Sequence, residues 1–257
     1  MSRGELWTRD ELILALNLYL KLDFGKMHKT NPEIISLART MGRTASSIAI
    51  RLTNFASVDP YHQKRGIKGM VGGIKQVKPI WDEFIHNKEA ILFESENILA
   101  KKEHQTIETK FSGILEDIKD LKGETKIREV KTRVNQSVFR QIVLTNYNKK
   151  CAITGINLTD LLVASHIIPW AENEAERLNP GNGLCLNSIH DRAFEVGLIT
   201  ILDDYTIKTS SILKKGRKDP IIEEYFLKYE NKSIELPLKY LPDSQFLRYH
   251  TKERFKP

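Results

Sequence analysis

The chain has only two cysteines in 257 residues, Cys151 and Cys185. That excludes a disulfide framework and a four-cysteine zinc site, and leaves two buried thiols as the simplest expectation. No stretch approaches the roughly 20 consecutive apolar residues of a membrane span. No secretory apolar region follows the opening MSRGELW. A soluble, cytoplasmic protein without a membrane partner is expected. The glycine-rich run RGIKGMVGGIKQVK lacks the G-x-x-x-x-G-K-S/T spacing of a nucleotide-binding loop.

Acidic residues are scarce where basic ones cluster. Residues 43 to 78 hold Arg43, Arg51, Lys64, Arg65, Lys68, Lys75 and Lys78 against the single acid Asp59, a local charge of 7 − 1 = +6. The whole chain is +7 with a pI near 9.2. An ordinary solvated face intersperses both signs, so a polyanion partner is expected of this stretch.

Three helices are predicted ahead of and within it. WTRDELILALNLYLKL opens on a capping box, Thr8 with Glu11 three residues on. NPEIISLARTMG has Asn31 as cap, Pro32 at the first helical position and Gly42 as stop. RTASSIAIRLTNF puts Ile48, Leu52 and Phe55 on one face. A tight Gly-containing connection before the third helix suggests a helix-turn-helix or related trihelical unit. The third helix then offers Arg43, Ser46, Ser47 and Arg51 to a DNA groove. The glycine-rich run that follows is either a backbone-phosphate loop or a flexible connector, with Lys64, Arg65 and Lys68 as further DNA contacts.

Residues 87 to 122 read as charged helix without a strict heptad over three repeats, so no long coiled coil is licensed. Their apolar residues (Leu92, Phe93, Ile98, Leu99, Ile107 and Phe111) exceed what a free linker needs, which predicts a helical linker that dimerises the chain, the alternative being that they pack within one chain and cover the nuclease domain. Gly123 is expected to end it. VNQSVFRQIVLTNY is then a separate helix capped by Asn135, with Phe139, Ile142, Val143 and Tyr147 on its apolar face.

The chemistry lies further on. KKCAITG reads as a strand-turn, LLVASHII as a strand ended by Pro169, and GLCL as a second short strand. A helix follows from about Asn187 through SIHDRAFE to Gly197. Asn187, His190 and Phe194 share one of its faces, which predicts His190 lying over the hairpin near His166. Asp191 and Glu195 read either as supports for His190 or Arg192, or as a solvated face. LITILDDYTIK reads as a hairpin, and the aromatic, basic tail either meets DNA or closes the domain.

SHIIP, NPGNGLCLN and HDRAFEVGLI, in this order and spacing, resemble the HNH endonucleases, whose site is a ββα-metal finger. The resemblance covers residues 151 to about 202. It implies that His166 is the general base, that Asn182 holds the loop around it, and that His190 binds a divalent metal, Mg²⁺ or Mn²⁺. Family members often carry Asp or His before the base. Here the position is Ser165, a poor ligand, so either Ser165 contributes weakly or Asn187 or waters complete the shell. The paired Cys-x-x-Cys elements of the family's structural zinc are missing, and apolar packing is expected to replace the zinc. The N-terminal part also resembles the leading domain of restriction-type HNH proteins of bacteria.

The expectation is therefore an α+β protein. Residues 1–85 form a helical, helix-turn-helix-like DNA-binding domain, 86–125 a helical linker, and 126–257 the nuclease domain. The expected function is metal-dependent cleavage of double-stranded DNA by a homodimer, in restriction or defence, with dependence on cytosine modification left open. The alternatives are a nicking or homing-type nuclease, and a DNA-binding regulator that retains the fold without catalysis.

Overall fold

The computed structural model describes residues 6–257, so the first five residues of the expected N-terminal domain lie outside it. It divides into two compact units, Met1–Ile142 and Val143–Pro257.

In the first unit, helices α1 (Arg9–Lys21), α2 (Pro32–Met41) and α3 (Ala45–Val58) pack together. The capping box forms as expected: the Thr8 hydroxyl accepts from the Glu11 amide at 3.3 Å, and the Glu11 carboxylate accepts from the Thr8 amide at 2.9 Å. Asn31 caps α2, and Gly42 ends it in the left-handed region at φ 67°, a conformation that costs glycine little. Ile48, Leu52 and Phe55 are fully buried, each contributing roughly 1.5–3 kcal/mol. Tyr19 forms the centre, its ring 5.9 Å from Phe55 and 6.1 Å from Trp81. Its hydroxyl donates to Asp59 at 2.5 Å. Asp59 also caps α4 (Pro60–Lys64), so the one acid of the basic stretch is committed inside the core.

The glycine-rich run is neither an open loop nor a free connector. Its second half is the start of α5 (Ile74–His86). Its first half lies flat on α3, where the Asn54 amide donates to the Met70 carbonyl at 2.5 Å. A Cβ on Gly73 would fall 2.1 Å from the Asn54 oxygen, and one on Gly69 2.7 Å from backbone atoms of α3. These two glycines permit close packing rather than approach to phosphate.

The expected linker belongs to this unit. Helix α6 (Lys88–Lys102) packs along α1 and α5 and buries Ile91, Leu92 and Ala100. Glu96, also buried, is bonded by Lys21 at 2.6 Å and by Asn17 at 2.8 Å. Burial opposes its ionisation, but Lys21 and these hydrogen bonds hold its carboxyl below the usual range. The short helices α7 (Ile107–Lys110) and α8 (Ser112–Leu115) follow, and then α9 (Gly123–Asn146). Phe93, Ile107 and Phe111 pack on a cluster of Leu115, Ile118, Val130 and Val134. Most of the apolar residues that suggested dimerisation are thus packed inside one chain, as the alternative reading expected.

Gly123 begins α9 rather than ending its predecessor, at φ 60°. Asn135 is not a cap. It sits buried in mid-helix and donates to the Glu89 carbonyl at 3.2 Å, a tertiary partner that sequence distance conceals. The boundary between the units falls within α9, not near residue 126.

The second unit holds two antiparallel two-stranded sheets among the described residues: β1 (Leu162–His166) with β2 (Gly183–Asn187), and β3 (Ile199–Ile201) with β4 (Ile207–Thr209). Between the pairs runs α10 (Ser188–Glu195), and α11 (Ser211–Lys215), α12 (Pro220–Tyr225) and α13 (Ser244–Glu253) complete the unit. The expected KKCAITG strand is instead a turn, closed by the Cys151 amide on the Ile156 carbonyl at 2.8 Å. Cys151 and Cys185 are buried free thiols, and the Cys151 sulfur accepts from the Asn187 amide at 3.3 Å. No described helix is long and apolar enough to cross a membrane.

Candidate active site

Strand β1 ends at His166, which pairs with Gly183 at the start of β2. The 16 residues between them would be a floppy connection without Asn182. Its side-chain oxygen accepts from the Ile168 amide at 2.8 Å, and its amide donates to the carbonyls of Ile168 and Glu176, both at 3.1 Å. Asn182 is fully buried and uses both ends of its amide on this loop. Arg177 fixes the far side. Its Nε donates to the Trp170 carbonyl at 2.6 Å and its guanidinium lies 5.2 Å from the Trp170 ring.

This frame sets the state of His166. Its Nε2 lies 2.9 Å from the Arg177 carbonyl. A carbonyl can only accept, so Nε2 carries the hydrogen and the neutral ring holds its lone pair on Nδ1. Burial pushes the imidazole below the ordinary histidine range, the Arg177 charge works in the same direction, and the carbonyl bond opposes both. The ring meets Trp170 edge-on at 5.5 Å. The result is an oriented imidazole that is unprotonated at neutral pH.

Helix α10 crosses the hairpin, and here the expected placement changes. His190 does not line the cleft that holds His166. Its Nε2 donates to the Tyr225 carbonyl at 2.7 Å, and its ring packs against Phe226 and Tyr229. Asn187 caps α10, its oxygen accepting from the Ile189 and His190 amides at 3.1 and 2.9 Å. That oxygen is occupied and sits at the opposite end of β1 from His166, across from Leu162. The structure therefore does not bring His190 and Asn187 to the base as metal ligands. One position further round the helix, Asp191 does face it. Asp191 and Glu195, one turn apart, line a cleft of ≈ 280 Å³ with Ser165, His166, His250 and Arg254. Burial raises the Asp191 carboxyl, Ser165 opposes this by a hydrogen bond, and the Glu195 charge adds to the rise. An acid pair at i, i+4 was visible in the sequence. Its phase against the hairpin was not, because a shift of one residue rotates a helix by about 100°.

The tail closes the site. His250 on α13 stacks on Phe194, rings parallel with centroids 3.6 Å apart. Its Nε2 donates to the Phe194 carbonyl at 3.0 Å, and Nδ1 is 2.9 Å from the Thr200 hydroxyl. Burial depresses His250 to about 4, with the Phe194 bond opposing and Arg254 contributing. A folded pKa below the unfolded value near 6.5 means that stability is fully present above 6.5 and is lost as pH falls toward 4. Thermal melts should fall between pH 6.5 and 5, above the ordinary carboxylate range. His250→Gln should flatten that decline, and an equally steep decline in the variant would contradict the assignment.

Residues 151–202 match the family model of HNH endonucleases. The segment spans the hairpin, α10 and β3, so this part of the chain is similar to HNH endonuclease domains. No curated protein matches the chain.

HNH nucleases generally use a divalent metal, and the donors suit a hard cation. No group of three His, Cys, Asp or Glu side chains able to hold a metal is found among the described residues. Magnesium does not require one, since it commonly takes one or two carboxylates and completes its shell with water and substrate phosphate. Asp191 and Glu195 provide two carboxylates. A bound cation would also offset the burial, and the smaller effect of the Glu195 charge, that raise Asp191.

The expected DNA-contacting residues of the first unit are split. Arg43 pairs with Glu11 at 2.8 Å. Arg51 is half-buried, bonds Asn54 at 3.2 Å and lies 4.6 Å from the Trp7 ring. Lys64, Arg65 and Lys68 are exposed.

Proposed function

We propose that the protein is a metal-dependent DNA endonuclease in which His166 is the general base, Asn182 the brace of its loop, and Asp191 and Glu195 the metal-holding pair. The observation that carries this reading is the neutral, carbonyl-oriented His166 sharing one cleft with the two carboxylates. His166 Nδ1 accepts a proton from water as the water oxygen bonds to phosphorus. The bond from phosphorus to the leaving 3′ oxygen breaks, and that oxygen is protonated by solvent. The Arg177 carbonyl holds the Nε2 hydrogen throughout and favours the imidazolium that forms. A bound divalent ion supplies stabilisation of the charge developing on the phosphoryl and leaving oxygens. One site cuts one strand per encounter, so supercoiled plasmid with magnesium or manganese should be nicked first. Unchanged plasmid in both metals would end the nuclease reading and favour a binding protein. A restriction or defence role is the biological reading, and a matched panel of unmodified, methylcytosine and hydroxymethylcytosine DNA tests it.

The first unit is proposed to grip DNA through a helix-turn-helix-like surface. The exposed Lys64, Arg65 and Lys68 are the residues to test. Replacing all three by Ala should weaken binding and reduce the slope of log K against log salt by about 0.9 for each phosphate that is no longer neutralised. Arg43→Ala should instead lower stability by about 1–3 kcal/mol, because it strands the Glu11 carboxylate. A triple variant with the wild-type salt slope would move the DNA surface elsewhere.

A further inference from the structure

Among the described residues, the cleft beside His166 is lined by two carboxylates and no lysine. A DNA strand entering it brings a negative charge at every phosphate. The arginine in its lining is Arg254, at the end of α13 and well outside the 151–202 match. Arg254 also lines a second recess of ≈ 450 Å³, together with Arg192, Val196, Glu253 and Lys256. Glu195 borders both recesses as well.

Three observations separate Arg254 from its basic neighbours. First, its backbone is seated on the end of the metal-pair helix. The Lys256 amide donates to the Gly197 carbonyl at 2.9 Å, and a Cβ on Gly197 would fall 2.0 Å from the Arg254 carbonyl oxygen. Glycine at 197, with φ +77°, is what lets the tail come so near. Second, its guanidinium is weakly engaged, at 3.4 Å from Glu172 and 3.3 Å from the Glu195 carbonyl, with the side chain 34% exposed. Third, the two neighbouring arginines have closer partners: Arg192 is 2.7 Å from Glu195, and Arg248 is 3.0 Å from Asp203. The Glu172 carboxylate also accepts from the Tyr249 hydroxyl and is partly exposed, so it keeps a hydrogen bond and contact with water when Arg254 leaves it. A guanidinium has five donors and suits a phosphate bidentately.

We infer that Arg254 is a positioning residue that binds a backbone phosphate of the strand being cut and guides that strand from the second recess past His166. This rests on the nuclease reading above. It adds a role for the C-terminal helix that the hairpin and α10 do not require.

The test uses the full chain and a short duplex. In a His166→Ala background, which removes cutting, adding Arg254→Ala should weaken duplex binding about tenfold and reduce the salt slope by about 0.9. In the parent protein, Arg254→Ala should raise the half-saturating DNA concentration, and Arg254→Lys, which keeps the charge but not the bidentate fork, should restore the salt slope and only part of the affinity. Melting temperatures should match throughout. An unchanged salt slope would overturn the inference, as would Arg254→Lys behaving like Arg254→Ala with a lowered melting temperature. If wild-type protein fails to cut but the slope falls as expected, the nuclease reading fails and the phosphate contact stands. If it cuts and the slope is unmoved, the reverse holds.

Discussion

His166→Ala is expected to reduce plasmid cleavage by about 10²–10⁴-fold, the usual cost of losing a general base, with DNA affinity and melting temperature nearly unchanged. The imidazole is half-buried at the end of β1, where the Arg177 carbonyl orients it. Its loss therefore removes chemistry more than packing. The pH profile provides a second readout. Catalysis needs the unprotonated ring, and burial holds that ring below the ordinary histidine range. The acid limb of the rate should lie below about 6.5 and the rate should be flat through neutrality. Cleavage by the variant at near wild-type rate, or a rate still rising steeply above pH 7, would remove His166 from the role.

Asp191→Asn should produce the second large effect. It keeps shape and volume but removes a carboxylate charge. It should weaken manganese binding by about 10–100-fold in calorimetric titration, the range found even for groups that only support ligands, and abolish most cleavage. His190→Ala should do the opposite. Its ring fills space between Phe226 and Tyr229 and satisfies the Tyr225 carbonyl. Its removal should cost about 2–4 kcal/mol of stability while leaving manganese affinity intact at temperatures where the variant is folded. If His190→Ala lost metal and Asp191→Asn did not, the carboxylate pair would be wrong and the histidine would be restored as ligand.

Local signals in the chain were sufficient for much of the architecture. Thr8, Glu11, Asn31, Pro32 and Gly42 set helix ends through bonds to amides a few residues away, and such bonds depend on sequence spacing alone. Ile48, Leu52 and Phe55 defined a buried face by period. His166, Asn182 and the strand-loop-strand-helix order of the nuclease segment were legible for the same reason: each is a short-range pattern. The places of residues 88–102, Asn135 and the glycine-rich run were not legible, because their partners are distant. Asn17 and Lys21 on α1 meet Glu96 on α6, and Asn54 on α3 meets Met70.

The chemistry of the cleft divides in the same way. By itself, the amino-acid sequence singled out His166 as the candidate base, Asn182 as the candidate brace of its loop, and acids on the following helix. Only the tertiary structure decided which face of that helix meets the base, since neighbouring residues such as His190 and Asp191 point about 100° apart and a local pattern cannot choose between them. It also decided that the C-terminal helix joins the site, because the stacking of His250 on Phe194 and the approach of Arg254 to Gly197 bridge more than fifty residues, a separation at which spacing carries no signal and packing alone selects the contact.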